Sequence, residues 1–354
     1  MVIELPVVAA TGSAEVFARG GMSLLLASGI VTDIVFGCED EEPEMFKKVA
    51  GSLLKESDAF KERLNEGLKS GLSFAEARAN AIIDNWDEPL EREALGKFIK
   101  SPNNILGIAY TQAILASKRQ VEIHPLNRKG VSHDDSTHYG IYASASFLRE
   151  ALSNENSEAG DIMAFVPSMN MDIFEECMAE HKLVYASDFS VLLHEKLLSK
   201  KDFSNIMDCT EDISNRIINE RENYLSFEQF SDVLHTKNMN LSRIRRLLIH
   251  ILLSVTSVDL SVFKETGCAP YYHILGFTNT GSNLLATIRE NSRRFVFTSP
   301  QEVPEDIDAG RLALLKKDLY AADLYRAIQT QKCGHTLPSE YTRKFTMHPD
   351  ISSI

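Results

Sequence analysis

The sequence predicts an α/β fold: a parallel-sheet, Rossmann-like domain over residues 1–166, then a mainly helical domain over residues 167–354. Three observations predict it. Apolar, β-rich runs at residues 2–8, 31–37 and 121–126 alternate with longer stretches of helical periodicity, the order that builds a parallel sheet. Small polar residues gather at the mouths of helices, at Ser101-Pro102-Asn103-Asn104 and at Ala143-Ser144-Ala145-Ser146, with a strand between the two. That order places the polar loops at the carboxyl end of a parallel sheet, where open α/β folds bind ligands. Past Asp161 strand patterns become scarce and helical segments follow one another, which sets a boundary near Pro167.

Each element has its own grounds. Residues 2–8 read as a buried parallel strand, broken by Glu4 and closed by Pro6. Ser13 opens an amphipathic helix that Gly29 stops. Residues 31–37 are a second strand, and the acidic run Glu39-Asp40-Glu41-Glu42 follows it; four consecutive acids do not converge on one point, so a solvated helix start is expected there. Residues 46–98 carry long helical periodicity, with Ser73 and Glu76 spaced as a capping box and Trp86 in the core. Residues 121–126 supply the third strand. In the second half, Ser226 caps a helix, residues 271–278 and 295–298 are short strands, residues 309–328 form a last amphipathic helix, and the polar tail from 329 is expected to be loose.

Composition bounds the function. The 354 residues are 44% hydrophobic and 25% charged, with no run of about 18 apolar residues to cross a membrane. The first residues show neither a basic n-region nor a long apolar h-region, so no signal peptide is expected. Five cysteines are scattered singly without metal-site spacing, which implies free thiols and a cytoplasmic setting. A net charge of -13 argues against non-specific coating of nucleic acid. Neither membrane nor DNA is an expected partner, whereas a structured RNA can still meet a local basic patch.

Free amides at a helix mouth, hydroxyl donors and a nearby guanidinium are what a phosphate needs, so the residues point to nucleotide handling. Ser144, Ser146 and Arg149 are candidate phosphate contacts, with a plain N-cap and an exposed helical Arg as the alternative. Gly37, where a strand meets its loop, either admits a ligand to the backbone or is a turn glycine. Arg128 and Lys129, two cations before Gly130, suit a polyphosphate or an RNA backbone. His133, Asp134, Asp135 and His138 make a polar loop, but no Cys and no i, i+4 pair of His accompanies them, and no metal is assigned. Residues 237–253 are the most basic stretch; Arg243 and Arg246 share a face near Lys237, for phosphates or for the protein's own acids.

These motifs together resemble the tRNA(Met) cytidine acetate ligase family, a branch of the nucleotidyltransferase-like α/β proteins. The resemblance rests on Val2-Ile3-Glu4-Leu5-Pro6, Ser13-Ala14-Glu15-Val16-Phe17-Ala18-Arg19-Gly20, Phe36-Gly37-Cys38-Glu39, Gly71-Leu72-Ser73-Phe74, residues 101–107 and 143–149, Arg243-Ile244-Arg245-Arg246 with His250-Ile251-Leu252, and Leu275-Gly276-Phe277. It implies a ligase that forms acetyl-adenylate from acetate and ATP and acetylates the exocyclic amine of the wobble cytidine of elongator tRNA(Met), with Mg as a candidate companion of the ATP. It implies ATP contacts at Gly37, Asn103, Arg128 and Lys129, and tRNA contacts at Lys237, Arg243, Arg245 and Arg246.

The family's His-x-Gly-His and Gly-Asn-Phe-x-x-Arg-Gly-Glu-like loops do not occur in this sequence. The resemblance therefore implies a nucleotidyltransferase-like domain lacking its first strands, no catalytic residue that can be named, and a polypeptide expected to be inactive and poorly stable as it stands. Two other readings compete: a non-catalytic tRNA-binding remnant, and a nucleotidyltransferase acting on a small-molecule phosphate, which would not need the basic helix.

Overall fold

The structure is a computed structural model; it describes all residues except 87–91, 128–137, 140–141, 154–161, 181–182, 237–238, 344 and 349–354. The N-terminal run divides at Pro6. β1 (Val2–Ile3) lies antiparallel to a strand at Tyr272–Thr278, with Ile3 opposite Ile274. α1 (Val7–Ala10) follows as a single turn. A continuous strand over residues 2–8 in the parallel sheet is thus not formed, because Pro6 has no N–H to give a ladder. Instead the Val7 N–H donates to Asp318 Oδ1 at 2.7 Å, and Val8 and Ala9 are buried beside Met207, Val255 and Phe263. The first residues belong to the packing of the chain's last third.

α2 (Ala14–Ala27) is capped by Ser13 and ends before Gly29, whose φ of 81° only glycine adopts freely. β2 (Asp33–Cys38) pairs in parallel with the strand Glu122–Asn127, from Asp33 opposite Glu122 to Cys38 opposite Asn127. Between them run α3 (Pro43–Leu54), α4 (Asp58–Lys69), α5 (Phe74–Asp84), α6 (Arg92–Phe98) and α7 (Pro102–Ser117). The expected capping box is formed: the Ser73 N–H donates to Glu76 Oε2 at 3.1 Å, and the Glu76 N–H to Ser73 Oγ at 3.3 Å. Trp86 is in the core, as expected.

With β3 (Glu122–Asn127) the small parallel sheet is complete among the described residues. Its two faces differ. Ile34, Phe36, Cys38 and Ile123 point into a core shared with α2, α3 and α7, while Val35 and Leu126 on the other face are 60% and 56% exposed. The period of two sorts these side chains. Gly107 lets α7 lie close: a Cβ there would come 2.5 Å from Phe46 and 2.6 Å from Phe36.

β4 (His138–Tyr139) and β5 (Tyr142–Ala143) form an antiparallel pair leading into α8 (Ala145–Ser153). Beyond it the chain is mainly helical, as expected, through Met171–Glu180, Ser190–Ser199, Glu211–Glu220, Phe227–Leu234, Leu241–Leu253 and Ser257–Glu265. β6 (Tyr272–Thr278) is the hub of the second sheet, joined to β1, to β7 (Val296–Phe297) and to β8 (Thr346–His348). Over its described residues the tail is therefore not loose. The last long helix runs Ala309–Cys333 and closes at Gly334 with φ 75°, the buried Glu340 meets Arg326 at 3.0 Å, and β8 adds to β6 in parallel. No helix among the described residues is long and apolar enough to cross a membrane.

Candidate functional site

β2 and α7 meet at the carboxyl end of the small sheet, and a carboxylate joins them. Gly37 is exposed on the uncovered face, Cys38 is buried, and Glu39 turns toward the N-terminus of α7. Glu39 Oε1 accepts from Asn103 Nδ2 at 2.6 Å, and Glu39 Oε2 accepts from the Asn104 N–H at 3.1 Å. The Asn104 amide closes the ring: its Oδ1 accepts from the Glu39 N–H at 3.0 Å, and its Nδ2 donates to the Phe98 carbonyl at 3.2 Å. Pro102 at the first helical position wastes no donor. The loop thus supplies its own anion to a helix end that favours one.

Glu41 acts likewise at the end of β3, accepting from the Asn127 N–H at 3.0 Å. The acidic run is therefore partly a set of loop ties, which corrects the reading of it as a merely solvated helix start. Asn103 and Gly37 are brought to one end of the sheet, and the chain leaves Asn127 at that same end toward Arg128 and Lys129. Those two cations, with His133, Asp134, Asp135 and Lys237, lie outside the described residues. Burial, with the neighbouring acids adding to it, pushes the Cys38 thiol up, which keeps it un-ionised beside the loop.

The other candidates are used differently. Ser144 Oγ accepts from the Phe147 N–H at 3.0 Å and so caps α8. Arg149 reaches back to Ser146 Oγ at 3.5 Å. On the helix Leu241–Leu253, Asn240 Oδ1 accepts from the Arg243 N–H at 2.9 Å, and Ile244, Leu247, Leu248 and Ile251 are buried. Arg245 is exposed, Arg243 and Arg246 are half-buried, and Arg246 Nε is buried with no hydrogen-bond partner among the described residues. The Cys209 thiol is pushed up to about 12 by burial, with the charge of Asp202 adding and that of Arg243 opposing.

The histidines near these elements are committed to structure. His250 is buried with its ring nitrogens 3.1 Å from the Met207 carbonyl and 2.9 Å from the Thr11 carbonyl. His273 is buried against Glu4 at 2.6 Å. His124 pairs with Asp33 at 2.7 Å on the uncovered face of the sheet, three residues and roughly 10 Å short of the loop end.

Glu39, Glu41 and Asn104 stood in the sequence as members of an acidic run and a polar helix mouth, not as site residues. The signal was there in part: Glu39 is the first residue after a strand and Asn104 sits at the third position of a Pro-started helix. Only the pairing of β2 with β3 shows that they meet.

The chain matches the model of the HIGH Nucleotidyl Transferase family over residues 1–339. It is 32% identical over 326 residues to the tRNA(Met) cytidine acetate ligase of Caldanaerobacter subterraneus subsp. tengcongensis, covering 92% of this chain and 79% of that protein. The enzyme of the same name from Acetivibrio thermocellus is 31% identical over 332 residues, with the same coverage. Among solved structures, apo Thermotoga maritima TmcAL superposes with a TM-score of 0.90 at 24% identity, over 99% of this chain and 84% of that one. The form of that protein bound with alpha-thio ATP gives 0.85, also at 24% identity and with the same coverage. These likenesses show the fold.

Proposed function

Because the chain belongs to the tRNA(Met) cytidine acetate ligase family, within the HIGH nucleotidyl transferases, we propose, against the inactivity expected from its two missing loops, that it joins acetate to elongator tRNA(Met) at the cost of ATP. Acetyl-adenylate forms first, and the acetyl group then passes to the exocyclic amine of the wobble cytidine. Residues 1–166 are taken as the nucleotide-binding part and residues 167–354 as the part that meets tRNA, with residues 1–10 as the strap between them.

The observation that carries this reading is the closed ring of Glu39, Asn103 and Asn104 at the carboxyl end of the sheet. It holds the Asn103 amide fixed by its nitrogen, and Asn103 Oδ1 has no partner among the described residues. A fixed acceptor beside carboxylates suits the donor-rich nucleoside end of ATP, the adenine amine and ribose hydroxyls, better than its phosphates. Gly37 on the open face leaves room for the flat base. The phosphates then fall to Arg128 and Lys129, whose guanidinium and ammonium groups neutralise charge that builds on the α-phosphate during adenylation. Acetate is a weak electrophile until it carries such a leaving group. The cytidine comes unpaired in an anticodon loop, so no duplex has to open. None of His124, His250 and His273 is assigned a catalytic role, since each is held by the contacts described above.

The test is an assay of labelled acetate transferred to an elongator tRNA(Met) transcript, together with ATP binding by calorimetry. Transfer is expected to need ATP, acetate and tRNA together, and Asn103→Ala should weaken ATP binding roughly 3- to 10-fold, the loss of one fixed hydrogen bond. ATP-dependent adenylylation of a small phosphate compound with no transfer to tRNA would sink the reading in favour of a small-molecule nucleotidyltransferase.

A further inference from the structure

A cleft at the far end of α7 has no role in the reading above. It opens between α2, the last turn of α7 and the turn after the helix Ser257–Glu265, has a volume of about 310 Å³, and is lined by Arg19, Arg119 and Lys264 over small residues such as Ala113, Ala116 and Gly267. A smaller groove of about 100 Å³ continues it, sharing Arg19, Lys264 and Cys268 and ending at Glu15, the one carboxylate among the residues lining either space. All three cations are exposed, and their side chains make no ion pair or hydrogen bond among the described residues.

Acidic residues outnumber basic ones 50 to 37, so a cleft lined by three cations stands against the sign of the whole chain; the exposed Lys61, Arg63 and Lys97, by contrast, each sit within 4.0 Å of a carboxylate. Three like charges brought together from three separate elements repel one another, and an anion seated among them relieves that repulsion. The shape favours a polymer: the cleft is open along its length, and its floor of alanine and glycine lets a backbone lie close, with no enclosing wall for a small ion.

We propose that the cleft of Arg19, Arg119 and Lys264 binds the phosphate backbone of the tRNA substrate. This rests on the function proposed above. It adds a second contact to the one at the basic helix. The geometry agrees with it: α7 has 16 residues, so its two ends are about 24 Å apart. An RNA stem held at one end can present its loop to Asn103 and Gly37 at the other, and phosphate contacts fix register in just this way without reading bases.

The experiment uses the full chain and a fluorescein-labelled elongator tRNA(Met) transcript, with binding followed by anisotropy from about 50 to about 200 mM salt. Arg19→Gln, Arg119→Gln and Lys264→Gln, singly and together, are compared with Lys61→Gln, whose partner is Asp58. Each cleft variant is expected to weaken binding and to lower the slope of log Kd against log salt by about one, the triple variant by about two to three, with thermal stability and ATP affinity unchanged. Lys61→Gln should behave as wild type. If the wild type binds tRNA and the triple variant binds it equally well with the same slope, the cleft proposal is overturned and the ligase reading stands. A wild type that fails to bind tRNA overturns both. If inorganic pyrophosphate raises the melting temperature of the wild type but not of the triple variant, while tRNA binding is the same for both, the cleft holds a small anion and the RNA proposal is wrong.

Discussion

Single residues at this sheet are fixed by space as much as by chemistry. Gly107 has no backbone reason to be glycine, since it lies inside α7. Its reason is the pair of rings that a Cβ would enter, Phe46 and Phe36. Those rings cannot yield easily, because Phe36 stacks edge-on against Phe46 at 5.2 Å and Phe46 against Phe98 at 4.7 Å. Gly107→Ala is expected to destabilise the protein by about 1–3 kcal/mol, the usual cost of overpacking, and to weaken ATP binding as α7 is pushed off β2. Urea unfolding with a midpoint unchanged from wild type would show that the rings repack. From sequence alone this glycine read only as part of a motif, because nothing local tells of a contact between residues so far apart in the chain.

At the scale of elements, the helix Leu241–Leu253 shows how far pattern carries and where it stops. Its apolar stripe was legible and is buried as the 3.6-residue period requires. The three arginines were equally legible, but not their division of labour. Arg245 stands in solvent, whereas Arg246 is half-buried with its Nε shut away from water and unpaired among the described residues. Arg245→Ala is expected to leave thermal stability within about 0.5 kcal/mol of wild type and to lower the salt slope of tRNA binding by about one. Arg246→Ala should lower stability as well, by removing the packing of a half-buried stem. Equal effects of the two substitutions on stability, measured by calorimetric melting, would contradict this division. The strand expected over residues 2–8 failed at this same scale. A short apolar run with a proline inside it has no intrinsic preference strong enough to resist the partners that β6 and the last helix offer.

Across the whole molecule the two ends of the chain are joined through one buried acid. Asp318 accepts from the Val7 N–H at 2.7 Å and from the Tyr271 hydroxyl, so the N-terminal strap, β6 and the helix Ala309–Cys333 share it. Burial, with the Glu4 charge adding to it, raises the Asp318 carboxyl well above its ordinary 3.8. Folding therefore takes up a proton here. The stability from this group is complete below that ordinary value and is lost as pH rises through the raised one. Asp318→Asn, neutral at every pH, should flatten the fall in melting temperature as pH rises above the ordinary carboxyl value of 3.8; parallel profiles for the two proteins would show that the carboxyl does not contribute to that fall. The sequence by itself determined the α/β character, the helical second half, the caps at Ser13, Ser73, Ser144 and Ser226, and the residue types gathered at strand ends, because periodicity and capping are local properties. Tertiary structure decided that residues 2–10 pack with the chain's last third, that Glu39 seats itself on α7, that the tail returns as a strand, and that Arg19, Arg119 and Lys264 share a cleft. Each of these depends on which distant surfaces meet. Hydrophobic burial drives such meetings without direction, and only close packing selects among them.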